Sequence, residues 1–287
     1  MKTLRYFIEF LIIKLFFLIF KIIGYKNSSN LGAKIGSFIG PLFRSKSVTR
    51  KNIRSSLPNL PQEQIEILIK TMWENYGRIF SEYMFIEKFR SKKLEKYLSI
   101  SGVETLEKIK KNGKPVVFIS GHFNNFELMA MQLELNGIKL SAVYRPLNNF
   151  FLNRTMEDLR KNFICKNQIK KGLGGVREII KAFSKNTSVA MMIDQRVTEG
   201  EKSILFNKKT YTTTIPAQLV KKYNCPVVPI YIKRRDNLYF DITIEDPIFF
   251  NKLDDIKDIT LKLNKWLENK ILECPDQWIW THNKWKL

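Results

Sequence analysis

The first apolar stretch, Leu4–Ile23 (LRYFIEFLIIKLFFLIFKII), is long enough for a bilayer-length helix at ~1.5 Å per residue. Its apolar run is interrupted by Arg5, Glu9, Lys14 and Lys21. Arg5 and Glu9 are four apart and pair on one helix face. A lysine near the middle of a span costs roughly 3 kcal/mol, less with snorkelling. The pattern therefore predicts a helix that anchors to a membrane, either spanning it or lying in its surface, with a buried core helix as the alternative. No small-residue cleavage site follows, so a secretory signal peptide does not fit. After Pro58 and Pro61, Ile65, Leu68, Ile69, Met72, Trp73, Tyr76 and Ile79 recur at helical spacing, which predicts one long amphipathic helix over 62–86.

From there the pattern alternates. Residues 100–103 read as a short link and Glu104–Lys111 as a short helix closed by Asn112-Gly113. Pro115–Ser120 is apolar on both faces, as a strand inside a sheet is. Further strands are predicted at Leu140–Tyr144, Ser188–Ile193, Val227–Lys233 and Tyr239–Ile244. Helices are predicted at Asn125–Asn136, Asn149–Lys161, Gly174–Ser184, Ile215–Tyr223 and Asp255–Leu272. Strands alternating with helices predict an α/β layered fold, its mixed sheet largely parallel and flanked by helices. The organisation expected is an anchoring helix over 1–25, a helical part over 26–100 and an α/β catalytic core over 101–287.

Composition changes this picture in two ways. The 49 Lys and Arg against 27 Asp and Glu give a formal charge of +22, which favours anionic partners. Lys26, Lys34, Arg44, Lys46, Arg50, Lys51 and Arg54 follow the apolar helix, and by the positive-inside rule they place the body of the protein in the cytoplasm. Charge alone also raises nucleic-acid binding, but no helix-turn-helix, zinc-finger or aromatic RNA-binding signature accompanies it, so no nucleic-acid partner is expected. Cys165, Cys225 and Cys274 are too few and too scattered for a disulfide framework or zinc site, and two histidines make a multi-histidine metal centre unexpected.

The candidate chemistry sits where the first strong strand ends. Gly121-His122-Phe123-Asn124-Asn125-Phe126-Glu127 places a histidine at the mouth of the sheet, where open α/β sheets carry their sites. On a continuous helix five residues separate two side chains by ~140°. His122 and Glu127 therefore meet only if one lies on the turn and the other on the first helical turn, with Gly121 easing the entry. A carboxylate beside an imidazole fixes its tautomer, which makes His122 a candidate general base. The structural alternative is an ordinary histidine–glutamate contact. No G-x-S-x-G elbow, H-E-x-x-H or Walker loop occurs, which removes those routes to covalent acyl, zinc or nucleotide chemistry. Gly172–Gly175 reads as a connector that can also approach a phosphate.

GHFNNFE resembles the H-x4-D/E motif of glycerolipid-type acyltransferases. VYRPLNN (Val143–Asn149), LRKN around Arg160, MMIDQR (Met191–Arg196), Tyr211–Pro229, the terminal DQWIWTHNKWK and TRKNIRSSLPNL (Thr49–Leu60) narrow the match. Together they are similar to the lauroyl/myristoyl acyltransferase family of lipid A biosynthesis over essentially the whole chain. The resemblance implies a glycerolipid-acyltransferase-like fold and transfer of a fatty acyl chain from acyl carrier protein to a hydroxyl of a lipid A precursor. It implies work at the cytoplasmic face of the bacterial inner membrane, in contact with its phospholipid, with no cofactor beyond the acyl-carrier co-substrate. It carries over His122 as base and Glu127 as its partner, with Arg160, Asp194 and, less firmly, Arg145 binding substrate or the transition state. The sequence departs from G-H-x-G-N-W-E at Asn124 and Phe126. Another glycolipid acceptor or an acyl-coenzyme A donor stays open. Arg145, Arg154, Arg160, Lys161 and Arg177 are candidates for docking the acidic carrier or a phosphorylated acceptor, against a plain solvated basic face. Trp278, Trp280 and Trp285, with Lys284 and Lys286, fit either a membrane interface or the core, and His282 a local hydrogen bond.

Overall fold

The computed structural model describes residues 1–43, 46–197 and 200–286, so Arg44 of the basic flank lies outside the described residues. The chain opens with a long helical run, α1 (Lys2–Phe43), bent at Gly24, whose φ of 78° and ψ of 168° break the helical ladder. The helix predicted for 4–23 thus continues past the bend. Short α2 (Lys46–Ser56) leads to α3 (Gln62–Glu82), a 3₁₀ turn and α4 (Ile86–Arg90), covering the predicted 62–86 helix. The second half of α1 lies backbone to backbone on α3. A Cβ on Gly32 would meet the Gly77 carbonyl oxygen at 2.3 Å, and one on Gly36 the Trp73 carbonyl at 2.2 Å. Glycine is required at both by this approach. The first half of α1 buries Phe17 and Phe20 against Phe80 of α3. Each ring so buried contributes roughly 1.5–3 kcal/mol. The other face is open: Leu4, Phe7, Ile8, Leu11, Ile12, Leu15, Leu18 and Ile22 are exposed at helical spacing. No helix among the described residues is long and apolar enough to cross a membrane.

The α/β part runs β1 (Leu98–Ser101), α5 (Val103–Asn112), β2 (Val117–Ser120), α6 (Glu127–Leu135), β3 (Leu140–Tyr144), α7 (Phe150–Phe163), β4 (Asn167–Lys170), α8 (Leu173–Ser184) and β5 (Ser188–Met192). It continues through β6 (Glu201–Leu205), β7 (Lys208–Thr212), α9 (Ile215–Tyr223), β8 (Val227–Arg235), β9 (Tyr239–Ile244) and α10 (Ile256–Glu273). Seven strands form one sheet in the order β1-β9-β8-β2-β5-β3-β4. Every neighbouring pair is parallel except β8–β9, so the mixed, largely parallel α/β sheet read from the sequence is what the chain forms. The β6–β7 hairpin stands apart as a two-stranded ribbon.

Two predicted helix starts are capped as their sequences require. The Asn149 side chain accepts from the Phe151 and Leu152 N–H groups ahead of α7, and Asp255 accepts from Asp258 N–H ahead of α10. Strands β1, β4, β6 and β7 had no counterpart in the hydropathy pattern. β1 occupies the residues read as a link, and β4 (NQIK) is a polar edge strand whose one buried residue is Ile169. The terminal tryptophans resolve toward the core: Trp278 and Trp280 are fully buried.

Candidate active site

The central strands place the site. β2 and β5 are parallel neighbours in register Ser120↔Met192, so their C-terminal ends deliver His122 and Asp194 side by side. The His122 ring Nδ1 lies 2.7 Å from Asp194 Oδ1, and the His122 backbone N–H donates to Asp194 Oδ2 at 2.7 Å. The Trp278 indole N–H donates to the same Oδ2 at 2.9 Å. Asp194 is 1% exposed. Burial alone would raise its pKa. The His122 charge and the hydrogen bonds from His122 and Trp278 outweigh burial and hold the carboxyl well below the usual carboxylate range. An ionised Asp194 accepts only, so Nδ1 carries a proton and proton exchange by the ring is left to Nε2. Gln195 Nε2 stands 3.3 Å from that nitrogen. The Phe126 ring meets the imidazole edge to face at 4.9 Å, and the Tyr76 hydroxyl donates to the His122 carbonyl at 3.4 Å.

Glu127 opens α6 on the far wall of the same pocket. Its Oε1 accepts from Arg160 Nε at 2.8 Å, from Arg160 Nη2 at 2.6 Å and from the Tyr83 hydroxyl at 3.1 Å. Burial would lower the Arg160 pKa, but Glu127 beside it raises it above the ordinary arginine value. Arg160 Nη1 is buried with no partner among the described residues. The direct His122–Glu127 contact expected from the motif is absent from the hydrogen bonds of the described residues. Nδ1 is taken by Asp194, and the turn at 121–126 aims Glu127 at α7. At Asn124 that turn has φ of 43°, the left-handed region where glycine or asparagine is best tolerated. This accounts for Asn124 where the motif has a small residue.

Behind these groups an apolar cavity of about 110 Å³ reaches between the sheet and α6. His122, Glu127, Tyr144 and Arg160 line its polar end, and Phe118, Met129, Leu133, Ala142, Met191 and Met192 are among the residues of its apolar wall. Arg145 does not join this pocket. It lines a neighbouring cavity with Lys171 and Arg196. The second histidine, His282, makes no ring hydrogen bond at Nδ1 among the described residues, unlike the local bond expected for it. Burial pushes its pKa down to about 4; the nearby Asp194 works the other way, while Lys284, His122 and Lys171 add to the fall. Lys284 is fully buried, 3.5 Å from the Gln195 carbonyl and 3.4 Å from Thr212 Oγ1. Its pKa is pushed down to about 8, first by burial. Sequence reasoning missed Trp278, Gln195, Tyr83 and Lys284 as site residues. Trp278 and Lys284 come from a C-terminal segment with little hydropathy signal, and Gln195 was legible only as the neighbour of Asp194.

An imidazole held this way at the mouth of an apolar cavity suits an enzyme that transfers acyl groups, and comparison with known proteins agrees. The family description "bacterial lipid A biosynthesis acyltransferase" matches residues 1–287, and the chain belongs to that family. It is similar to a lipid A biosynthesis acyltransferase of Haemophilus influenzae, 24% identical over 252 residues, covering 85% of this chain and 78% of that protein. The lipid A biosynthesis palmitoleoyltransferase of Escherichia coli is 23% identical over 263 residues, covering 89% and 84%. The lauroyltransferase of Escherichia coli is 23% identical over 252 residues, covering 85% and 79%. The enzyme therefore transfers acyl groups in lipid A biosynthesis.

Proposed function

We propose that the enzyme carries a fatty acyl chain from the thioester of acyl carrier protein to a hydroxyl of a lipid A precursor, with His122 Nε2 as general base. The observation that carries this reading is the Asp194–His122 pair, with His122 lining the polar end of the apolar cavity. In the proposed step Nε2 takes the proton of the acceptor hydroxyl as its oxygen attacks the thioester carbonyl. Asp194 stabilises the imidazolium that forms. The tetrahedral oxyanion accepts from Arg160, whose Nη1 has no other partner among the described residues. The carbon–sulfur bond then breaks, and the imidazolium proton goes to the leaving thiolate. Glu127 acts through Arg160, holding its guanidinium in place.

The cavity is smaller than the ~300–1,000 Å³ of typical ligand pockets, but Met129, Met191 and Met192 are adaptable walls for a slim chain. The exposed apolar face of α1 lies beside exposed Leu147 and Phe150, with the Tyr6 and Phe150 rings in edge contact. That face, with the basic charge of the chain, supports seating at the surface of an anionic membrane on its cytoplasmic side. The test is an acyl-transfer assay with carrier thioesters of several chain lengths and a tetra-acylated lipid A precursor. Label in a penta-acylated product, lost in Glu127→Gln, is the expected result. Transfer only from acyl-coenzyme A, or only to a different glycolipid, would overturn the donor or the acceptor.

A further inference from the structure

Beside the His122 pocket lies a second cavity, of about 520 Å³, whose charged lining among the described residues is all basic. Arg145 reaches it from the end of β3, Lys171 from the turn after β4 and Arg196 from the loop after β5. No carboxylate lines it among the described residues. Arg196 is steered by the Tyr211 ring, 5.6 Å from its guanidinium carbon, and its Nε is buried with no partner among the described residues. Lys171 is held below the ordinary lysine value, first by loss of solvent and then by Arg145; Asp194 only partly opposes this. Three gathered cations that repel one another, one with an unpartnered buried N–H, are costly unless an anion completes them.

The remaining wall adds to this field. Gly172 and Thr214 stand at the starts of α8 and α9, and neither helix has a side-chain cap. At α9, however, Ile215 N–H donates to Thr213 Oγ1 at 3.4 Å and Pro216 has no N–H, so the helix-end dipole on this wall comes from α8, whose first-turn N–H groups have no side-chain cap. Arginine forks, an ammonium and a helix N-terminus together suit an oxyanion such as phosphate. The cavity is also close to the chemistry. Arg196 is two residues beyond Asp194, and Lys171 acts electrostatically on both Asp194 and His282.

We infer that this cavity is a phosphate subsite that holds a phosphate of a substrate while its reacting group sits at His122. The inference rests on the acyl-transfer reading above. The phosphate has two possible sources, a phosphorylated sugar of the acceptor or the phosphodiester of the carrier's thiol-bearing arm, and the chemistry of the cavity is the same for both. Arg196→Gln and Arg145→Gln remove one fork each, the second at an exposed position. In the acceptor arm, kcat/KM is compared for the phosphorylated precursor and its phosphatase-treated form. In the donor arm, it is compared for the acyl carrier thioester and an acyl-pantetheine thioester without the phosphodiester. Each variant should cut the preference for the phosphorylated partner roughly tenfold or more in one arm, as loss of a charge-assisted hydrogen bond implies, and that arm names the source. Preferences unchanged in both arms would overturn the subsite. Binding of inorganic phosphate, followed by phosphorus NMR, separates this from failure of the acyl-transfer reading. Saturable binding to the wild type, weakened roughly tenfold or more in both variants, supports the subsite even if no acyl transfer occurs. Binding that does not saturate, or that the variants leave unchanged, overturns it.

Discussion

Two buried arginine–glutamate pairs occupy different regions of this enzyme, and their surroundings separate scaffold from chemistry. Where α1, α3 and β8 meet, Arg234 Nη1 and Nη2 donate to Glu82 at 2.5 and 3.0 Å. Its Nε donates to Asn75 at 2.8 Å, and Nη1 also reaches the Asn237 carbonyl. Every nitrogen of that guanidinium has a partner, and Glu82 is fully buried. Where α6 and α7 meet the apolar cavity, Arg160 gives two nitrogens to a single oxygen of Glu127 and leaves Nη1 without a partner among the described residues. The first guanidinium is fully partnered and joins three elements, although Asn75 Nδ2 and Asn125 Oδ1 beside it have no partner among the described residues. The second is open toward a cavity that also holds His122. Both pairs are buried; what sets Arg160 apart is that its own guanidinium keeps an unpartnered donor and lines the cavity that His122 also lines, and its proposed role rests on that.

The comparison breaks if the two pairs respond alike to mutation. Glu82→Ala strands a buried guanidinium and should cost about 3–5 kcal/mol of stability, read by denaturant unfolding. Arg160→Lys keeps a cation opposite Glu127 but loses the planar fork. Acyl transfer should fall roughly 10²–10³-fold, the cost of losing an oxyanion donor, while the melting temperature changes little. A folded Glu82→Ala protein of wild-type stability, or Arg160→Lys with full turnover, would erase the distinction.

Smaller effects sharpen it at the His122 carboxylate. Trp278→Phe removes one of the donors to Asp194 and should cost about 1–3 kcal/mol. Because the folded pKa of Asp194 is depressed, its contribution is present above the unfolded carboxylate value and is lost as pH falls through the folded one. Weakening that depression should move acid unfolding to higher pH, which a pH series of thermal melts detects. The smallest effect is a slope. Lys284 has a pKa of about 8 when folded against 10.5 for an ordinary lysine, so the unfolded chain binds more protons between those values. Wild-type stability should therefore rise with pH across that window. Lys284→Met should flatten the rise, leaving the part that Lys208, also held down to about 8 by burial, contributes.

Periodicity showed most of the fold. The buried strands β2, β5 and β8 and the capped helices α7 and α10 stood out because their local pattern agrees with their burial. Strand β4 and the β6–β7 hairpin did not, because edge and ribbon strands are mostly polar and their pairing is a tertiary fact. A helical part over 26–100 was expected, but not that α1 runs on to Phe43 or that Gly32 and Gly36 serve a close approach to α3 at Gly77, which is a tertiary fact. At the site, the motif located His122, Glu127, Arg160 and Asp194 but could not say who pairs with whom. Spacing along the chain suggested His122 with Glu127. Parallel pairing of β2 with β5 instead brings Asp194, 72 residues away in sequence, onto Nδ1. Trp278 reaches the same carboxylate from the far end of the chain, a contact no local pattern encodes.

The central claim is that His122 is the base of the acyl transfer. Its most direct test is the single-turnover rate of acyl transfer from carrier thioester to the phosphorylated lipid A precursor, measured for the wild type and for His122→Ala of matched melting temperature. The account predicts a loss of ~10²–10⁴-fold or more, the usual contribution of a general base. A folded His122→Ala enzyme with a near-normal rate would contradict it.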